Sequence, residues 1–308
     1  MSVIDRMFAR ANQTQSSVLV GLDPLVAKLP AKFSAKGLHG AAQGILDFNL
    51  EILEAVHDLI PAVKLQMACY ELYGPEGIRS FEKTVQRAKE LGLFVIDDSK
   101  RGDIGSTATL YAQARIGVPP LFEGDAAAQG SDFVTVNPYL GDDGLTPFYD
   151  TALSQDKGVF VLVRTSNPSS AQYQTAQING MPLYEQIGLD VQAKAVEHQG
   201  KCGYAPFGAV VGATWPEEAV KLRALMPNVP FLVPGYGSQG GRGKDVVPCF
   251  DAQGSGALIN SSRGILFAYQ SQGAPESQFA SCAREAVVAM NDDINSALEA
   301  AGKTAWAV

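Results

Sequence analysis

The sequence predicts an α/β fold: a single (β/α)8 TIM barrel with loop insertions at its C-terminal face. Eight short runs rich in β-branched and aliphatic residues recur along the 308-residue chain, each ending in polar, glycine or proline residues. Segments with helical apolar spacing lie between them, and that alternation favours a closed barrel over a doubly wound sheet. The runs are apolar almost without interruption, which suits strands covered on both faces, as in a parallel sheet. The length accommodates a barrel of about 250 residues plus insertions. No Pro-, Gly- or Ser-rich linker divides the chain, so residues 1–308 are expected to form one domain.

In chain order the first four strands are expected at Val18–Asp23 (VLVGLD), Ala62–Gln66 (AVKLQ), Leu93–Lys100 (LFVIDDSK) and Phe133–Tyr139 (FVTVNPY). The other four are expected at Gly158–Ser166 (GVFVLVRTS), Gly208–Thr214 (GAVVGAT), Phe231–Gly237 (FLVPGYG) and Ala257–Ser262 (ALINSS). Helical spacing joins Ile45, Phe48, Ile52, Val56 and Leu59, and then Phe81, Val85, Ala88 and Leu91. Pro216 followed by Glu217 and Glu218 marks a helix start, where proline and acidic side chains are favourable. A last helix is expected from Glu276 to Ala300, with Phe279, Ala283, Val287 and Met290 on one stripe. Two stretches read as insertions, Gly117–Ser131 and Asn167–Pro182. The second follows the fifth strand and is either a lid or wall of the barrel mouth or a plain surface excursion.

Composition excludes several classes of function. With 32 acidic against 24 basic residues the net charge is −8, unlike a binder of nucleic-acid backbones. The first residues, MSVIDRMFARANQTQ, contain no apolar core of a secretory signal. No run approaches the roughly 18–20 apolar residues of a membrane span, so a cytoplasmic protein is expected. The four cysteines, Cys69, Cys202, Cys249 and Cys282, show no metal-ligand spacing and read as reduced thiols, with Cys69 a packed core thiol. The three histidines, His39, His57 and His198, read as surface or half-buried residues. Asp58 and Glu197, adjacent in sequence to two of them, would point about 100° away around a helix and are not expected to pair with them.

Barrel logic directs attention to polar residues at strand ends. The first strand ends at Asp23, the second carries Lys64, and the third ends in Asp97, Asp98 and Lys100, with Asp103 shortly after. Side chains alternate along a strand, so Asp98 and Lys100 share one face while Asp97 points toward the helices. Lys64 on the neighbouring strand can reach the same space. Lys64, Asp98, Lys100 and Asp103 thus form an alternating-charge set that keeps lysines protonated and carboxylates ionised. Such a set is costly to desolvate unless paired, which marks a functional arrangement more often than a rim of salt bridges. A protonated lysine held against a substrate carbon is a proton donor. Opposite them, PGYGSQGGRGKD and NSSRGI follow the seventh and eighth strands, where barrels commonly hold a phosphate on backbone N–H groups. Arg263 can add a bidentate grip, whereas Arg242 and Lys244 read as solvated loop charges.

The motifs VGLDP, AVKLQ, DDSKRGDIGST, VNPYLG, RTSNPSS, PGYGSQGG and NSSRGI resemble, in order, those of the orotidine 5′-phosphate decarboxylase family, in its longer bacterial subgroup. The resemblance spans essentially the whole chain, and D-x-K-R-x-D-I-x-x-T is its specific element. It implies a cofactor-free, metal-free carboxy-lyase that converts orotidine 5′-monophosphate to UMP and carbon dioxide in pyrimidine biosynthesis. Lys64, Asp98, Lys100 and Asp103 would be the charged tetrad, with Lys100 the proton donor to C6. Asp23 and Lys64 would contact the ribose, Ser166 the pyrimidine, Gln239 both base and phosphate, and Arg263 the phosphate. Asp103, Ile104 and Thr107 would reach into a partner subunit's site, implying a homodimer with shared active sites. Both insertions depart from compact members of the family, as does Ser262, where many have glycine. Two alternatives stand beside this reading: a Mg²⁺-dependent sugar-phosphate lyase or synthase of the same barrel group, and a non-catalytic nucleotide-binding barrel.

Overall fold

Parallel strands buried on both faces must be covered by helices outside and by side chains within, and the chain meets both demands. The computed structural model describes residues 1–124, 126, 130–237, 240–303 and 306. Eight parallel strands close into a barrel: β1 (Val18–Leu22), β2 (Ala62–Gln66), β3 (Phe94–Arg101), β4 (Phe133–Val136), β5 (Gly158–Arg164), β6 (Phe207–Val211), β7 (Phe231–Val233) and β8 (Ala257–Ser261). Each strand pairs with its neighbours in sequence, and β1 pairs with β8 to close the ring. All eight expected strands exist. Several expected C-terminal ends are loop or 3-10 turn instead, as at Pro138–Leu140 and beyond Val233, because those residues turn outward to form the mouth.

The main outer helices are α2 (Gly37–Val56), α3 (Gly74–Glu90), α4 (Gly105–Ile116), α5 (Asp142–Ser154), α6 (Leu183–Glu197), α7 (Pro216–Leu225) and α8 (Phe279–Ala300). Before all of them comes α1 (Val3–Thr14), which the sequence reading did not identify. A reciprocal cap between Ser2 and Asp5 starts it, and Val3, Ile4, Met7, Phe8 and Ala11 are buried. Val3, Ile4, Met7 and Phe8 pack with Leu19, Ala62, Ile96, Phe133, Phe160, Val210, Leu232 and Leu258, one inward residue from each strand, and seal the amino-terminal end of the barrel. The apolar spacing of those α1 residues was the available signal.

The insertions differ. Residues 117–131 lie partly outside the described residues. The 167–182 stretch folds into a 3-10 turn (Pro168–Ser170), a short helix (Ala171–Gln174) and a two-stranded antiparallel ribbon (Gln177–Ile178 with Met181–Pro182). His198 is half-buried as expected, but its Nε2 lies 3.9 Å from the Glu197 carboxylate, so Glu197 is its neighbour after all. His198 caps α6 with non-helical backbone angles, so the 100° rule does not apply there. His39 is exposed and pairs with Glu76 at 3.1 Å.

Candidate active site

Moving up the barrel, the inward positions turn from apolar to charged. Strand register sets Gly21 beside Lys64 and Gln66 beside Asp98, so β1, β2 and β3 deliver adjacent polar side chains to one end. Lys64 is only 4% exposed, and such a cation must be paired. Its Nζ donates to Asp98 Oδ2 at 2.7 Å and lies 3.5 Å from Asp23. Asp98 is buried too, and four donors meet its carboxylate. Besides Lys64 these are Lys100 Nζ at 2.6 Å, Thr135 Oγ1 at 3.0 Å and Gln66 Nε2 at 3.2 Å. Burial alone would raise the Asp98 pKa, but Lys64 and Lys100 outweigh it and hold the carboxyl far below its usual range. Burial likewise acts to lower Lys64, and Asp23 and Asp98 overcome it, keeping the ammonium charged well above its ordinary value.

Lys100 reaches this arrangement by an unusual backbone route. The pairing of β3 with β4 shifts register between Asp97 and Arg101, and Lys100 adopts φ +48°, the left-handed region. A lysine there costs about 1–2 kcal/mol. Thr135 Oγ1 accepts its N–H at 2.9 Å, so one threonine secures both the kinked backbone and Asp98. Asp97 points outward as alternation requires and is fully buried, 3.6 Å from Arg115 of α4. Burial dominates over Arg115 and raises its pKa to about 6.

A cavity of about 510 Å³ opens above these groups. Asp23, Lys64, Asp98 and Lys100 line one side; Ser166, with Thr165 and Asn167, lines a second; Arg263 and Ser262 line a third. The volume suits a nucleotide-sized ligand. Arg263 begins a short helix (Arg263–Leu266) directly after β8. Ser262, the departure noted above, fits because β1 carries glycine opposite: a Cβ at Gly21 would fall 1.9 Å from Ser262 Oγ. The glycine-rich loop after β7 folds back on itself, with Gly237 N–H donating to the Gly241 carbonyl at 2.8 Å.

The structure thus brings together Asp23, Lys64, Asp98, Lys100, Ser166 and Arg263. It does not bring Asp103, Ile104 and Thr107 to the same cavity. The Asp103 carboxylate accepts the Ile104 N–H at 2.8 Å, and Ile104 and Thr107 are exposed around the start of α4. Within one chain the charged set is therefore three residues, not four. Gln239 lies outside the described residues. Sequence reading missed Gln66, Thr135, Gln174 and Asn260; the first two touch Asp98 and the last two line the cavity. Inward alternation from Lys64 to Gln66 could have found the first, but only the fold brings the others in. Cys69 is partly buried and does not line the cavity; burial, then Asp23, pushes its thiol up to about 11.

A closed parallel barrel with cations on opposite sides of its C-terminal mouth defines the phosphate-handling class of (β/α)8 enzymes. Comparison with known proteins narrows the class. Residues 17–277 match the model of the "Orotidine 5′-phosphate decarboxylase / HUMPS family", and the chain belongs to that family. It is 42% identical over 296 residues to the orotidine 5′-phosphate decarboxylase of Petrotoga mobilis, covering 96% of this chain and 98% of that one. It is 41% identical over 302 residues to the enzyme of the same name from Rhodopirellula baltica, covering 96% and 99%. The structure of Leishmania donovani OMP decarboxylase superposes with a TM-score of 0.70 at 31% identity, covering 94% of this chain and 99% of that one.

Proposed function

We propose that the protein is an orotidine 5′-phosphate decarboxylase, converting orotidine 5′-monophosphate to UMP and carbon dioxide. The Lys64–Asp98–Lys100 chain of charges, set across a nucleotide-sized cavity from Arg263, carries the reading. Arg263 and the glycine loop would grip the phosphate, Asp23 and Lys64 the ribose, and Ser166 the pyrimidine, with Gln239 bridging base and phosphate. When the C6–carboxylate bond breaks, its electron pair stays on C6. The Lys100 ammonium stabilises that charge and delivers its proton there, and the lysine is later reprotonated from solvent. Asp98, fixed by four donors, orients Lys100. Binding energy at the remote phosphate contributes to desolvating the reacting carbon.

Asp103, Ile104 and Thr107 would complete the site of a second copy of the chain. Their position outside their own cavity, with Ile104 and Leu110 exposed at and along α4, supports a homodimer. The whole chain, residues 1–308, would act as one domain in the cytoplasm, and no described helix is long and apolar enough to cross a membrane. A spectrophotometric assay with orotidine 5′-monophosphate in the presence of EDTA tests the reading, with turnover expected. Activity only with sugar phosphates and added Mg²⁺ would establish the lyase or synthase alternative. Nucleotide binding without turnover would establish a non-catalytic barrel.

A further inference from the structure

Arg164 ends β5 with a side chain that is 1% exposed, and none of the chemistry above uses it. A buried guanidinium requires partners for its charge and its donors. Arg164 finds them on two stretches of chain that meet only in the fold. At the β6–α7 junction its Nε donates to Glu218, and Trp215 lies against the guanidinium with its ring centre 4.4 Å away. In the 167–182 stretch its Nη1 donates to Ser170 Oγ at 2.5 Å and to Gln174 Oε1 at 3.2 Å.

Two of the groups that Arg164 holds, Gln174 and Trp215, also grip Thr165, the residue before Ser166, and Thr214 beside Trp215 grips Ser166 itself. Gln174 Oε1 accepts the Thr165 N–H at 3.0 Å, and its Nε2 donates to Thr165 Oγ1 at 2.7 Å. Trp215 Nε1 donates to the Thr165 carbonyl at 3.0 Å, and Thr214 Oγ1 to that of Ser166 at 3.3 Å. A Cβ at Gly212 would lie 2.8 Å from Ser166 Cα, so glycine there admits the close approach. Ser166 and Gln174 both line the cavity, on a different wall from Arg263.

We propose that Arg164 is a positioning residue for base recognition. Its planar fork locks Gln174 and Ser170 to the β6–α7 junction, making the 167–174 stretch a fixed wall that holds Ser166 toward the pyrimidine. Arg263, on the phosphate wall, follows β8 and belongs to neither of the two stretches that Arg164 joins. The inference rests on the reading of Ser166 as the pyrimidine contact, and the test separates the two.

Calorimetric titrations with UMP and with ribose 5-phosphate compare the wild type with Arg164→Lys and Ser170→Ala. The lysine keeps a charge beside Glu218 but cannot make the fork. In Arg164→Lys, UMP affinity should fall about tenfold or more, while ribose 5-phosphate affinity stays within about twofold. KM for the full substrate should rise far more than kcat falls. Ser170→Ala, which removes one contact outside the cavity lining, should move UMP affinity the same way by about threefold to tenfold. Should Arg164→Lys fail to fold, as judged by circular dichroism, Ser170→Ala decides. Equal weakening of both ligands, or no weakening of UMP, overturns the positioning role alone. A wild type that binds UMP no better than ribose 5-phosphate overturns the base-recognition reading and this inference with it.

Discussion

Asp98→Asn is the sharpest probe of the charged site because it keeps the shape of the side chain while removing its charge and one acceptor oxygen. The carboxylate is 7% exposed and receives two ammonium groups at 2.6 and 2.7 Å. An amide can accept from one of them but turns its own N–H donors toward the other. Breaking one side of a buried ion pair costs about 3–5 kcal/mol. Two features favour the lower end: Lys64 keeps Asp23 at 3.5 Å, and Lys100, 43% exposed, is partly screened by water. With an unfolding entropy of about 2.1 cal/mol/K per residue, a loss of about 3 kcal/mol lowers Tm by about 5 °C in this chain. Turnover should drop about a hundredfold or more, because Lys100 loses both its orientation and its counter-charge.

The pH dependence has a definite sign. The folded pKa of Asp98 is depressed, so its contribution is present above the unfolded value near 3.9 and is lost as pH falls through the lower folded value. The gap in Tm between wild type and Asp98→Asn should therefore stay level from pH 7 to about pH 5 and shrink below about pH 4. Differential scanning calorimetry across that range, with steady-state assays at pH 7, reads both effects. A variant whose Tm lies within about 1 °C of the wild type at pH 7, or a gap that widens in acid, would refute the account.

Lys100→Ala should reduce kcat by about three orders of magnitude or more, and near-normal steady-state turnover would remove it as proton donor. Arg263→Ala should raise KM about 10- to 100-fold while kcat changes little; an unchanged KM would place the phosphate elsewhere. Mixing Asp103→Ala with Lys100→Ala subunits should restore part of the activity, and no rescue despite demonstrated subunit exchange would sink the shared site. Asp97, raised to about 6, binds more protons folded than unfolded, so its contribution to stability falls as pH rises from about 4 to 6. That shift costs about 3 kcal/mol at pH 7, so Asp97→Asn should raise Tm there by about 5 °C and flatten the profile between about pH 4 and 6. A lower Tm at pH 7 would instead mean that the ion pair with Arg115 outweighs burial.

Strand identity was legible because buried parallel strands write continuous apolar runs, a local pattern that survives without knowledge of partners. Strand ends were less so, since residues such as Pro138 and Gly235 belong to the mouth, where the backbone turns away from the ladder. The common face of Asp98 and Lys100 followed from period-two alternation, and their ends meet at 2.6 Å. The route to that contact was not legible, because the left-handed Lys100 depends on Thr135, which lies 35 residues away on the next strand.

What the sequence by itself determined was the order of strands and helices and the residue types at the strand ends. Those depend on spacing along the chain. The tertiary structure alone decided that Thr135 and Gln66 join Lys64 and Lys100 on Asp98. It also placed Asp103 outside its own cavity and tied the 167–174 stretch to the end of β5 through Arg164. Each of these joins side chains from separate strands or loops. A buried charge is tolerated only where such partners converge, and barrel closure decides which ones do.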